Sequence, residues 1–201
     1  MKTLETTIEG AFVIYPDVYF DSRGYFTETF NQKEFDKIVP GVTFVQDNQS
    51  QSSQNVLRGL HYQYGEHAQA KLVRCTEGTV YDVAVDLRPW SKTYMKWYGV
   101  VLSELKFNQF YIPRGCAHGF AVLSDSATFQ YKCDNDYCPE AERGVNPFDP
   151  QFNIDWKISK ENAILSDKDK ARKNYKKVNN VDLINMPDMF AEKFMLAKFF
   201  K

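Results

Sequence analysis

The stretch RGLHYQ (Arg58 to Gln63) is followed closely by KLVRC (Lys71 to Cys75), which sets an arginine, a histidine and a lysine on two neighbouring segments that both read as β-strands. The chain has three histidines, His61, His67 and His118. His61 sits inside this block, and His118 sits in a second compact block, IPRGCAHGF (Ile112 to Phe120). A histidine exchanges a proton near neutral pH. A lysine beside it steadies a developing anion, and an arginine nearby holds a phosphate. Together these are the parts of an enzyme that removes a proton from a phosphorylated or nucleotide-linked substrate.

Strand parity limits how these groups meet. Leu57, Gly59, His61 and Gln63 share one face, and Lys71, Val73 and Cys75 share another. Arg58 has the opposite parity to His61. Either it points away, or a bulge at Gly59 re-aims it, since glycine inside a strand often marks a bulge; the sequence leaves both open. Taken singly, His61 fits a packed structural histidine and Tyr131 a core aromatic, so the chemical reading rests on the cluster. A metal site is not expected. His61 is followed by Tyr62 and Gln63, so there is no His-x-His pair, and His118 stands alone in its block. The four cysteines, Cys75, Cys116, Cys133 and Cys138, form no Cys-x-x-Cys pair and read as incidental or buried thiols.

The elements that must position these residues are short apolar segments bounded by turn residues. The patterning predicts strands at 10–15, 25–30, 43–49, 55–63, 71–76, 79–87, 96–103, 109–112, 117–123 and 127–133. In the segment 79–87, Thr79, Tyr81, Val83, Val85 and Leu87 point one way and Val80, Asp82, Ala84 and Asp86 the other. Glu77-Gly78, Arg88-Pro89 and Pro113-Arg114-Gly115 mark turns. About ten closely spaced strands without long intervening helices indicate an all-β antiparallel sandwich or barrel. One short helix is expected at 31–38. Met186, Met189, Phe190, Phe194 and Ala197 recur at helical spacing, so a C-terminal helical tail is expected at 179–201, after a main domain at 1–178.

The chain has 201 residues, enough for one domain with a sizeable core. Its net charge of −1 gives no support for bulk binding to nucleic acid or membrane. No apolar run approaches 18 residues, and Met1 to Glu9 is polar and unlike a signal peptide, so a cytoplasmic setting is expected. The 16 phenylalanines and 12 tyrosines favour β-structure and well-lined pockets.

Seven ordered blocks carry a resemblance. They are DSRGYFTETF (Asp21 to Phe30), FVQDNQSQS (Phe44 to Ser52), VLRGLHYQ (Val56 to Gln63), KLVRCTEGTVYDVAVDLR (Lys71 to Arg88), IPRGCAHGFAVLSDSATFQYKC (Ile112 to Cys133), PEAERGVNPFDP (Pro139 to Pro150) and ILSDKD (Ile164 to Asp169). In these the chain resembles the dTDP-4-dehydrorhamnose 3,5-epimerases, cupin-type nucleotide-sugar epimerases of deoxysugar synthesis, from about Ile8 to Asp169. The resemblance implies a cupin jelly-roll, usually a homodimer, that inverts C3 and C5 of a dTDP-linked 4-keto-6-deoxyhexose without metal or redox cofactor. It implies His61 as general base oriented by Asp169, Tyr131 as proton donor on the opposite face of the sugar, and Lys71 and His118 as stabilisers of the enolate oxygen. It further implies nucleotide and pyrophosphate contacts from Arg23, Phe26, Glu28, Gln46, Asn48 and Arg58. Glu142 and Lys168 match two more binding positions, and Tyr137 matches an aromatic residue near the pocket. The tail after Asp169 departs from the common pattern. Two other outcomes stay open: inversion at a single centre of another nucleotide-linked 4-keto sugar, and a non-catalytic cupin that binds a sugar nucleotide.

Overall fold

The computed structural model describes residues 1–176. The expected C-terminal helix, and the boundary placed at 178, lie outside the described residues. The described residues form thirteen strands: β1 (Lys2–Glu5), β2 (Phe12–Tyr15), β3 (Val18–Asp21), β4 (Gly24–Thr27), β5 (Gln46–Ser53), β6 (Leu57–Gln63), β7 (Lys71–Glu77), β8 (Thr79–Asp86), β9 (Trp97–Ser103), β10 (Gln109–Ile112), β11 (Cys116–Val122), β12 (Ser126–Cys133) and β13 (Glu142–Gly144). Two single helical turns join them, α1 (Gln32–Phe35) and α2 (Asp167–Lys170).

The strands form a six-stranded sheet, β1-β2-β10-β7-β12-β5, and a five-stranded sheet, β13-β6-β11-β8-β9, with β3 and β4 as a separate hairpin. All named pairings are antiparallel. Consecutive strands often fall in different sheets, which makes this the expected cupin jelly-roll.

Three apolar layers explain the patterning. Between the sheets, Val73, Cys75, Phe110, Ile112 and Phe129 from the large sheet meet Val80, Ala84, Leu102, Phe120 and Val122 from the small one. Behind the small sheet, Leu57, Leu60, Tyr81, Val83, Val85 and Ala121 are covered by Val145, Phe152, Trp156 and Tyr175 of the C-terminal strap. This double cover is why β8 is buried on both faces, the inner one carrying Asp82 and Asp86 beside Val80 and Ala84. On the far face of the large sheet, Ile14, Leu72 and Tyr111 are covered by Phe35, with Phe30 and Phe44 alongside.

Several elements differ from the sequence expectation. β1 and β3 are short edge or hairpin strands with mostly exposed side chains, so they carry no hydrophobic period. β5 runs from Gln46 to Ser53, not 43–49, because it forms by pairing along its whole length with β12. Its sequence, QDNQSQSS, holds no apolar residue. The predicted helix at 31–38 shrinks to one turn, capped by the Asn31 side chain on the amides of Lys33 and Glu34.

Candidate active site

His61 sits near the end of β6, opposite His118 on β11 and Gly144 on β13. The β6–β11 register slips there: His61 pairs with His118, but Arg58 pairs with Phe120. Three steps on β6 oppose two on β11, which is a β-bulge. The slip puts Arg58 and His61 on the same face, toward the space between the sheets, and resolves the parity question. Gly59 makes it possible. Its φ is +129°, and a Cβ there would lie 2.5 Å from the Cα of Gly119. Only glycine fits that conformation and that approach.

A cavity of about 320 Å³ opens at this end of the sandwich, lined by His61, Lys71, Tyr131, Cys133, Tyr137 and Glu142 together with Gln46, Asn48, Tyr62, Gln63 and Gln69. A second cavity, of about 420 Å³, borders Arg74, Gln109, Gln130 and Lys132. Of these two, only the smaller is lined by a histidine together with a lysine.

His61 Nε2 lies 2.5 Å from Asp169 Oδ1. Asp169 is buried, on α2, and its amide donates to the Ser166 hydroxyl that caps the turn. Burial pushes the Asp169 carboxyl up, but the His61 hydrogen bond and charge, the Ser166 hydroxyl and the Gly59 amide outweigh it, and the net pKa falls below 3.8. The carboxylate is therefore ionised and accepts from Nε2–H, which leaves the imidazole lone pair on Nδ1.

Lys71 starts β7, and its Nζ lies 5.7 Å from the centre of the Tyr131 ring. Burial lowers its pKa, against the nearby Cys133, Asp82 and Glu142, which raise it. Burial raises the Tyr131 hydroxyl pKa, so the phenol keeps its proton at neutral pH. Cys133, two residues on along β12, is pushed up to about 11 by burial and is a thiol, not a thiolate.

His118 lies deeper, 7% exposed, with Nε2 2.9 Å from Asp82 Oδ2. Burial lowers its pKa despite Asp82, so the ring is neutral; burial also raises Asp82. Asp82 did not stand out in the sequence as a site residue. Its signal was an acid on the same strand face as Val80 and Ala84, a face that the core claims.

Glu142, on β13, is a hub. Its Oε1 accepts Lys168 Nζ at 2.6 Å and Arg172 NH2 at 2.7 Å, and its Oε2 accepts the Tyr137 hydroxyl at 2.6 Å. Glu142, Lys168 and Tyr137 thus come together at the cavity mouth. Gln46 and Asn48 of β5 join them, with Gln46 Nε2 on Asn48 Oδ1 and its Oε1 accepting the Tyr137 amide. Arg58 donates from Nε to the Ser52 hydroxyl at 3.0 Å and from NH2 to the Gln51 carbonyl.

Arg23, Phe26 and Glu28 are not brought to this cavity. Arg23, in the β3–β4 turn, bonds only Asp21 and has an 88% exposed side chain. Phe26 is 69% exposed on the hairpin. Glu28 accepts from Asn31 at the start of α1. Among the described residues, no group of three or more His, Cys, Asp or Glu side chains is placed to hold a metal.

Residues 5–177 match the family described as dTDP-4-dehydrorhamnose 3,5-epimerase. The dTDP-4-dehydrorhamnose 3,5-epimerase of Escherichia coli K12 is 53% identical over 170 residues, covering 84% of this chain and 91% of that protein. The crystal structure of the enzyme of that name from Elizabethkingia anophelis NUHP1 superposes with a TM-score of 0.83 at 52% identity, covering 87% of this chain and 96% of the other. The dTDP-6-deoxy-D-glucose-3,5-epimerase of Legionella pneumophila, crystallised with dTDP-4-keto-L-rhamnose, gives 0.84 at 44% identity, with 92% and 97% covered. With its jelly-roll sandwich and its histidine–aspartate pair facing a lysine and a tyrosine, the chain belongs to the dTDP-4-dehydrorhamnose 3,5-epimerase family.

Proposed function

We propose that this enzyme converts dTDP-4-dehydro-6-deoxy-D-glucose to dTDP-4-dehydro-L-rhamnose, inverting C3 and C5 through an enolate. The carrying observation is one cavity lined by His61, Lys71 and Tyr131, with the buried Asp169 bonded to the His61 ring. Protons on the carbons flanking a C4 ketone are acidic because the anion delocalises onto the carbonyl oxygen. His61 removes such a proton at Nδ1. Asp169 fixes the tautomer and stabilises the imidazolium that forms. Lys71 meets the negative charge growing on O4, and its burial strengthens that contact. His118, kept neutral by its burial, is the second group assigned to this oxygen. Tyr131, whose hydroxyl stays protonated, returns a proton to the opposite face, and the centre inverts. The His61 imidazolium then releases its proton to solvent and the Tyr131 phenolate takes one up, and the same sequence at the other flanking carbon completes the reaction.

Gln46, Asn48, Arg58, Tyr137, Glu142 and Lys168 hold the nucleotide diphosphate around the mouth of the cavity. Arg23, Phe26 and Glu28 reach it from a second copy of the chain, in a homodimer. The exposed aromatic hairpin supports this: Tyr19, Phe20, Tyr25 and Phe26 are each 60% exposed or more, a surface that water disfavours. The setting is cytoplasmic, in keeping with four unpaired cysteines. On this reading the reaction needs no metal or cofactor, because Lys71 and the hydrogen-bonding side chains around the cavity take the enolate oxygen.

The test is solvent-deuterium incorporation into dTDP-, GDP- and CDP-linked 4-keto-6-deoxyglucose, before and after prolonged chelation. Deuterium at C3 and C5 of the dTDP sugar, with both centres inverted and no effect of chelation, is expected. Inversion at one carbon would reassign the enzyme as a single-centre epimerase. Binding without exchange would leave a sugar-nucleotide-binding cupin.

A further inference from the structure

α2 is a single turn, and an isolated turn does not hold its own shape. It nevertheless carries Asp169, whose carboxylate must meet the His61 ring. Ser166 caps its start, and the amide of Lys170 closes the turn onto the Ser166 carbonyl. Just past its end stands Arg172, whose amide donates to the Asp169 carbonyl at 3.2 Å. The Arg172 side chain crosses to β13 and gives NH2 to Glu142 Oε1 at 2.7 Å. Its guanidinium lies close against Gly144: a Cβ there would sit 2.5 Å from Nε and 2.8 Å from Cζ. Gly144 is the residue paired with His61. Arg172 therefore ties the segment that carries the aspartate to the strand beside the histidine.

We infer that Arg172 is a positioning residue for the reaction: it clamps α2 to β13 at Glu142 and Gly144, and so sets the Asp169 carboxylate against His61. The inference rests on the proposed roles of His61 and Asp169. Lys168 shares the same Glu142 oxygen but has a 59% exposed side chain, against 18% for Arg172, and restrains the turn less. A purely stabilising role fits Arg172 poorly. Its Nε is buried without a hydrogen-bond partner. Glu142 keeps Lys168 and Tyr137 when Arg172 is removed, so no orphaned carboxylate results. A displacement of Asp169 on the order of 1 Å is enough to cost about 100-fold in rate.

The experiment compares the full chain with Arg172→Met, Arg172→Lys and Asp169→Asn. It reads kcat and KM, the melting temperature, and the His61 ring N–H proton by NMR in the ligand-free protein. Arg172→Met is expected to lower kcat about tenfold to 100-fold, with KM within about twofold and the melting temperature retained. The His61 ring proton, expected downfield in the wild type because of its bond to Asp169, should move upfield, as in Asp169→Asn. Arg172→Lys, which keeps the charge without the guanidinium contact at Gly144, recovers part of both. An unchanged ring proton in Arg172→Met overturns the inference, whether or not kcat falls; if Arg172→Met does not fold, an unchanged ring proton and kcat in Arg172→Lys do so. The ring proton is read without substrate. A wild type that exchanges no deuterium therefore sinks the epimerase reading alone, and leaves the clamp to be judged on the NMR.

Discussion

At the scale of single residues, the site depends on two carboxylates placed in opposite electrostatic situations. Asp169 is held below its ordinary pKa of 3.8 by partners that outweigh burial, while Asp82 is raised by burial despite His118. Because the folded pKa of Asp169 lies below its unfolded value, its ionised form stabilises the fold above pH 3.8, and that contribution is lost as pH falls through the lowered pKa. Asp169→Asn should therefore be less stable than the wild type at neutral pH, with the gap shrinking as acid denaturation is followed below pH 3.8. A gap that stays constant with pH would mean the carboxylate is not selectively stabilised. The variant should also lose about 10²- to 10⁴-fold in kcat, as expected when a general base loses its orienting partner. The family blocks singled out His61, Lys71, Tyr131 and Asp169 in the sequence, and the fold brings them together. Asp82 and Arg172 were not singled out, because each acts by touching another side chain, and no short motif records that contact.

At the scale of elements, the bulge in β6 decides whether the arginine and the histidine face one space. Period-two alternation alone sends Arg58 to the wrong side, and the sequence offered only a glycine as a hint. The register confirms the slip between His118 and Phe120. Gly59→Ala would force a Cβ to within 2.5 Å of Gly119 and 2.9 Å of the His118 carbonyl at a φ of +129°. It should destabilise the protein by at least about 1–3 kcal/mol in chemical denaturation. It should also cut kcat, because relief of the clash shifts His61. Full activity in a stable Gly59→Ala would show that the bulge does not set the site. The core strands β7, β8, β11 and β12 were readable from apolar alternation. The strands β1, β3 and β13 were not, and β5 only over its first half, since pairing rather than hydrophobicity holds them: β5 is entirely polar and β13 spans only three residues.

At the scale of the whole molecule, the site residues fall into two groups. One surrounds the His61 cavity, and the other rides on the exposed β3–β4 hairpin and the segment after it. Phe20 and Tyr25 pack edge-on around Phe107, so the hairpin has a fixed shape of its own. Its outer aromatic surface is proposed to seat on a second copy, carrying Arg23 and Glu28 to that copy's substrate. Tyr19→Ser/Phe20→Asp should sediment as a single 23.4 kDa chain, keep its far-ultraviolet circular dichroism, and raise KM at least tenfold. A wild type that sediments as one chain with full activity would contradict the homodimer. Sequence blocks named Arg23, Phe26 and Glu28 as ligands, but only the fold separates them from the cavity they are meant to serve.

The central claim is a base on one face of the sugar and an acid on the other. Its most direct test is deuterium incorporation from solvent, read at C3 and C5 for His61→Ala and Tyr131→Phe beside the wild type. His61→Ala should incorporate none, because no enolate forms. Tyr131→Phe should still exchange protons on the His61 face while net inversion falls, because the enolate forms but is poorly protonated from the far face. Exchange at the wild-type rate in His61→Ala would contradict the account, even with the fold as described.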